Sequence, residues 1–154
     1  MAEISDIAPV YYNSLYKHGV DGKRRVQVPA KWRPASPDVE FTLVVWPKSA
    51  HGPCLRALPP EQMAKLMEDI NGMSNDEPNK VVLKRFIGSE SMQVALDKAG
   101  RICLPEAMAS LAGITKEAVL VGLLDRFEIW SPDRYAEVRS DDQGMAGTAF
   151  SLME

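Results

Sequence analysis

The stretch Asp21-Gly22-Lys23-Arg24-Arg25-Val26-Gln27-Val28-Pro29 decides how this chain is read, because it returns as Asp97-Lys98-Ala99-Gly100-Arg101-Ile102-Cys103-Leu104-Pro105. The shared skeleton is Asp-x-x-x-Arg followed by apolar-x-apolar-Pro, at an offset of 76 residues. Agreement continues downstream in the same order. Phe41 to Val45 answers Glu117 to Val121 at the same offset, and Cys54 to Glu61 answers Arg126 to Asp133 at an offset of 72. The difference is four extra residues in the first copy, which fit a hairpin loop at Pro47 to Pro53. Three ordered matches with one loop-sized gap identify an internal duplication.

Each copy reads as strand, polar turn, strand, short helix, strand, hairpin loop, strand, helix. Val26-x-Val28 and Ile102-x-Leu104 alternate as half-buried strands do, and Pro29 and Pro105 end them. Ala107, Met108, Leu111 and Ala112 have helical spacing before a stop at Gly113, whereas Pro34 cuts the equivalent helix of the first copy short. Ser131-Pro132 caps a helix over Asp133 to Val138. Met63, Leu66, Met67 and Ile70 fall at i, i+3, i+4 and i+7, an amphipathic stripe expected to face the core. Asn79 to Ile87 is expected to add another helix. The organisation predicted is a first repeat over residues 11–70, a linker and helix over 71–85, a second repeat over 86–138 and a flexible tail over 139–154. The fold class is mainly β with short helices (α+β), the two copies interlocking into one barrel-like core.

Composition narrows the function. The 45% hydrophobic content suits a globular core, and no run approaches the ~18 apolar residues of a membrane span. Met1 to Val10 lacks the basic and apolar regions of a secretion leader, so a cytoplasmic location is expected. Cys54 and Cys103 match no metal-ligand spacing and are read as reduced, apolar side chains. There is no glycine-rich phosphate loop, and the only histidines are His18 and His51. A Cys54–His51 pair has no orienting third group in the sequence. No catalytic residue, metal site, cofactor or small-molecule substrate is assigned.

Charge location is more informative than net charge. The chain carries −3 overall, yet Lys17 to Arg33 holds six bases (Lys17, Lys23, Arg24, Arg25, Lys31, Arg33) against Asp21 alone, a local +5 that leaves −8 for the remainder. Such asymmetry is an electrostatic footprint for phosphate. Within the motif, Asp21 and Asp97 are expected to cap a tight turn through backbone N–H groups two residues on. Arg25 and Arg101 either pair with that aspartate or present a guanidinium to a guanine edge. Lys23 and Arg24 suit phosphate contacts, which position a protein without reading sequence.

The two motifs, with Val119-Leu120-Val121-Gly122 and Asp125-Arg126-Phe127-Glu128-Ile129-Trp130-Ser131, resemble the MraZ family, bacterial transcriptional regulators with tandem AbrB-like domains. The resemblance runs from about Tyr12 to Tyr135. It implies an AbrB-like swapped-hairpin β-barrel built from two pseudo-symmetric repeats in one chain. It further implies ring-shaped homo-oligomers docking on direct repeats in double-stranded promoter DNA, upstream of the cell-division and cell-wall gene cluster and the regulator's own gene. A nucleoid-associated location follows. By position, the implied DNA contacts are Lys23, Arg24 and Arg25 in the first loop and Lys98 and Arg101 in the second. Three positions depart from the pattern: Ser14, Arg24 and Glu90 stand where the family has glycine. Arg24 is penalised if the turn needs positive φ, so the first loop is expected to differ in shape. Two alternatives carry no DNA contact: an antitoxin-like module holding a protein partner through its tail, and a ring scaffold.

Overall fold

In the computed structural model, residues 10–47 and 49–154 are described. Most of the segment read for a leader, Met1 to Pro9, and Lys48 of the expected hairpin loop lie outside them. The strands are β1 (Leu15–Gly19), β2 (Arg25–Gln27), β3 (Glu40–Trp46), β4 (Cys54–Leu58), β5 (Ser91–Ala95), β6 (Arg101–Cys103), β7 (Glu117–Gly122) and β8 (Phe127–Trp130). The helices are α1 (Pro60–Asn71), α2 (Pro78–Ser89), α3 (Glu106–Ala112) and α4 (Pro132–Ser151), with a short 3-10 turn at Ala30–Trp32 that ends before Pro34. The fold is α+β and mainly antiparallel.

Six strands form one sheet in the order β1-β7-β8-β4-β3-β5, and β2 and β6 form a separate two-stranded ribbon. Apart from the β3–β4 and β7–β8 hairpins, every pairing joins an element before α1 to one after α2. Neither half could bury its apolar face alone, so the two interleave over one core. Val26 and Ile102 send their side chains inward from the ribbon, fully buried, to meet Leu43, Leu55, Leu120 and Ile129 of the sheet. Trp32, Phe41 and Phe127 fill the centre, with Phe127 at 5.0 Å from Trp32 and 5.3 Å from Phe41 between ring centroids. Each such side chain contributes roughly 1.5–3 kcal/mol of burial.

Strand pairing corrects one detail of the alignment between the halves. Val44 pairs with Arg56, and Val121 pairs with Glu128, so β3 matches β7 one residue out of the sequence register, Glu40 answering Glu117. Burial agrees: both glutamates are exposed and the next three residues of each strand are buried. A one-residue slip would exchange the two faces of a strand, so packing rejects the register that apolar matching suggested. The first copy's hairpin is therefore five residues longer, not four.

Two further expectations change. The region expected as a flexible tail over 139–154 is helical in most of its length, because α4 runs through Ser151. Its start is capped as expected, Ser131 Oγ accepting from the Arg134 N–H at 3.3 Å. Beyond that, α4 is fastened from outside: Arg134 Nη1 donates to the carbonyls of Pro53 (2.9 Å) and Leu111 (3.0 Å). His51 lies between Glu137 (2.9 Å) and Asp141 (2.6 Å), one helical turn apart. The stripe of α1 turns inward only in part, with Ile70 buried and Met67 52% exposed.

Candidate nucleic-acid interface

The two Asp-x-x-x-Arg segments fold into the same turn. Asp21 Oδ1 accepts from the backbone N–H groups of Lys23 and Arg25, both at 2.9 Å, and Asp97 Oδ1 accepts from those of Ala99 and Arg101 at the same distance. A backbone bond closes each turn, Arg24 N–H to Asp21 O and Gly100 N–H to Asp97 O, again 2.9 Å in both. Aspartate suits this position because its short carboxylate reaches two amides of its own loop. These amide bonds hold both carboxyls below the usual carboxylate range.

The fourth residue of each turn has positive φ, +80° at Gly100 and +59° at Arg24. The first loop is therefore not reshaped by its arginine, contrary to the sequence expectation; Arg24 adopts the glycine conformation. Its side chain helps, since Arg24 Nε donates to the Leu104 carbonyl at 3.0 Å. Across the ribbon the space beside Gly100 holds Arg33, whose Nε donates to the Val28 carbonyl at 2.9 Å. Val28 and Leu104 are the matching positions of the two motifs, so each loop has one arginine bonded to the strand-end carbonyl next to it. Ser14 also has positive φ, +81°. Glu90 instead closes α2, its N–H donating to the Phe86 carbonyl.

The ribbon register fixes where the motif arginines point. Val26 stands opposite Ile102, Arg25 opposite Cys103 and Gln27 opposite Arg101. Directly opposed residues share a face, so Arg25, Gln27, Arg101 and Cys103 lie on the side away from the buried Val26 and Ile102. Arg25 and Arg101 become diagonal neighbours there, each about one third exposed. Arg25 Nε meets Asp21 Oδ2 at 2.7 Å, and Arg101 Nε meets Asp97 Oδ2 at 3.0 Å. Lys23 and Lys98 are exposed at the loop tips. All five basic residues singled out from sequence thus occupy the two loops and their ribbon, with Arg24 turned onto the Leu104 carbonyl.

Sequence reading overlooked the buttresses. Gln27 Nε2 donates to the Ala99 carbonyl at 2.8 Å, and Cys103 Sγ donates to the Lys23 carbonyl at 3.3 Å. These are again equivalent positions, each bracing the other copy's loop. Cys103 is accordingly exposed, not an apolar core side chain; Cys54 is buried. The repeat offset held the signal, since Gln27 and Cys103 both occupy the middle of apolar-x-apolar. Burial pushes the Cys54 thiol up, which disfavours the thiolate, and His51 is engaged by the α4 carboxylates.

Residues 87–149 match the family model described as "MraZ protein, putative antitoxin-like". The chain is 34% identical over 139 residues to the transcriptional regulator MraZ of Desulfitobacterium hafniense (strain Y51), covering 90% of this chain and 94% of that one. It is 31% identical to the protein of the same name from Clostridium acetobutylicum, with the same coverage. The one from Leuconostoc mesenteroides is 31% identical over 79% of this chain and 81% of its own.

Proposed function

The chain belongs to the MraZ family of transcriptional regulators, and from that premise we propose that it binds promoter DNA through the paired Asp21–Arg25 and Asp97–Arg101 loops. The observation that carries this reading is the pair of arginines on one face of a two-stranded antiparallel ribbon, each with Nε fixed by its own loop aspartate. A two-stranded ribbon fits the major groove of B-DNA. With Nε occupied, the terminal nitrogens of Arg25 and Arg101 are left to form the bidentate pair with guanine O6 and N7. The ion pair with aspartate and the base contact are therefore compatible, the first orienting the second. Lys23 and Lys98 supply phosphate contacts at the tips. Arg24 supports the first loop through Leu104 and adds positive charge to it.

The target is double-stranded DNA carrying direct repeats, upstream of the cell-division and cell-wall gene cluster and of the protein's own gene, as the family resemblance implies. The protein acts at the nucleoid in the cytoplasm. Direct repeats call for several copies in register, and a ring of identical subunits provides them. The exposed face of α2 supports self-association: the helix buries no residue, and Val81, Val82 and Phe86 are exposed. Beside it lies a cavity of about 310 Å³ lined by Trp46, Val82, Leu83 and Phe86, among others.

A second reading, capture of a protein partner, is favoured by α4 and the residues after it, which expose Met145, Phe150, Leu152 and Met153. A gel shift with DNA from upstream of the protein's own gene, at two salt concentrations, separates the two. Retardation at low salt that weakens at high salt is expected. No retardation at the lower salt overturns the DNA reading in favour of a partner or a scaffold.

A further inference from the structure

The two loops are not electrostatically independent. Asp21 Oδ2 accepts from Arg25 Nε at 2.7 Å and also lies 3.8 Å from Arg101 Nη1, which belongs to the other motif. Among the described residues, Asp97 has an ion pair with Arg101 alone. The register explains the reach. Arg101 stands opposite Gln27, two residues along the same face from Arg25, so its guanidinium extends toward the turn that precedes β2. Arg101 thus faces two carboxylates, with Nε hydrogen-bonded to Asp97 and Nη1 3.8 Å from Asp21, whereas Arg25 is paired with Asp21 alone. Two guanidinium groups this close repel each other, and a carboxylate oxygen between them offsets that repulsion.

We propose that Asp21 is a positioning residue for both motif arginines, one carboxylate oxygen setting the separation of the two guanidinium groups. The inference rests on the DNA reading for its consequence: the two loops address DNA as one unit, and Asp21 contributes to discrimination at both contacts while Asp97 contributes at one. Binding energy is spent less on ordering when two contacts arrive already spaced.

The test uses the full-length protein and begins without DNA. D21N and D97N keep Oδ1 as acceptor for the turn amides and replace Oδ2 with an NH2 donor, removing both the charge and the acceptor that faces the arginines, so both should still melt cooperatively. The Nε–Hε resonances of the arginines are then followed by NMR. D21N is expected to move the signals of both Arg25 and Arg101, and D97N that of Arg101 with Arg25 nearly unchanged. Arg101→Lys, which leaves the first turn untouched, should also move Arg25 through the shared oxygen. An Arg101 signal unmoved in D21N overturns the proposal. The second arm measures the ratio of operator to random-duplex affinity at one salt concentration. A loss of tenfold or more in D21N with a smaller loss in D97N is expected, and equal losses overturn the shared role. Absence of discrimination in the wild-type protein would instead sink the DNA reading, leaving the NMR arm to decide the shared anchor by itself.

Discussion

Arg56 of β4 and Glu128 of β8 face each other across the middle of the sheet, Nε to Oε2 at 2.9 Å, in the register that pairs each with its own counterpart in the other half. Leu55 opposes Ile129 and Ala57 opposes Phe127, so the pairing is self-complementary about this ion pair, as the ribbon is about Val26 and Ile102. Glu128 is buried and also accepts from Trp130 Nε1 at 2.9 Å, while the Arg56 guanidinium lies 4.1 Å above the Trp46 ring. At this one position the two segments carry opposite charges, which favours joining Arg56 to Glu128 over joining like to like.

Glu128→Leu should therefore destabilise the protein by about 3 kcal/mol, because a largely buried Arg56 is left without its counter-ion. Arg56→Met combined with Glu128→Leu should recover most of that loss. Urea unfolding of the single and double variants measures both, and an additive double variant would contradict the pairing.

In the first loop, Arg24→Gly should be more stable than Arg24→Ala by about 1 kcal/mol, since both lose the bond to Leu104 but only alanine keeps a Cβ at positive φ. In the second loop, Gly100→Ala should cost about 1–2 kcal/mol. Its Cβ would arrive 2.3 Å from Arg33 Cζ and push Arg33 from the Val28 carbonyl. Thermal melts of the three variants give the comparison.

Contacts with DNA should separate into two kinds. Lys23→Ala is expected to weaken binding to every duplex alike and to lower the salt slope by about one. Arg25→Ala should cost about 1–3 kcal/mol of discrimination between operator and random DNA. Titrations at several salt concentrations distinguish them, and unchanged discrimination in Arg25→Ala would remove its base-reading role.

The clasp between the β3–β4 hairpin loop and α4 should respond to pH. Hydrogen bonding to Asp141, with the nearby charges of Asp141 and Glu137, raises the pKa of His51 above its ordinary value. A raised folded value means that the stabilisation is complete below the unfolded pKa of about 6.5 and fades as pH rises through the folded one. The melting-temperature advantage of wild type over His51→Gln should be largest near pH 6 and shrink at alkaline pH. A constant gap across the range would show that the ring acts by packing alone.

Much of this architecture was legible from local pattern. The repeated Asp-x-x-x-Arg turn needs only its own amides, Ser131-Pro132 caps α4 through neighbouring backbone, and Gly113 ends α3 with φ +69°. What local pattern missed has long-range causes. The latter half of α4 carries two glycines and no apolar period, and its beginning is tied down by Arg134 and by His51 from a distant hairpin. The bracing of each loop by Gln27 or Cys103 needed the register of two strands far apart in sequence.

The sequence by itself determined that one Asp-x-x-x-Arg motif occurs twice, that each occurrence carries a capped turn with an arginine behind it, and that positive charge gathers at the first. Those features follow from periodicity and from side chains bonding to their own backbone. Only the tertiary structure decided how the copies meet. The pairing of Arg25 with Cys103 and of Gln27 with Arg101 puts both arginines on one face and brings Arg101 to the carboxylate of the first loop. That choice is made by burial of Val26 and Ile102, since slipping one strand by one residue would turn its arginine inward and its apolar residue toward water.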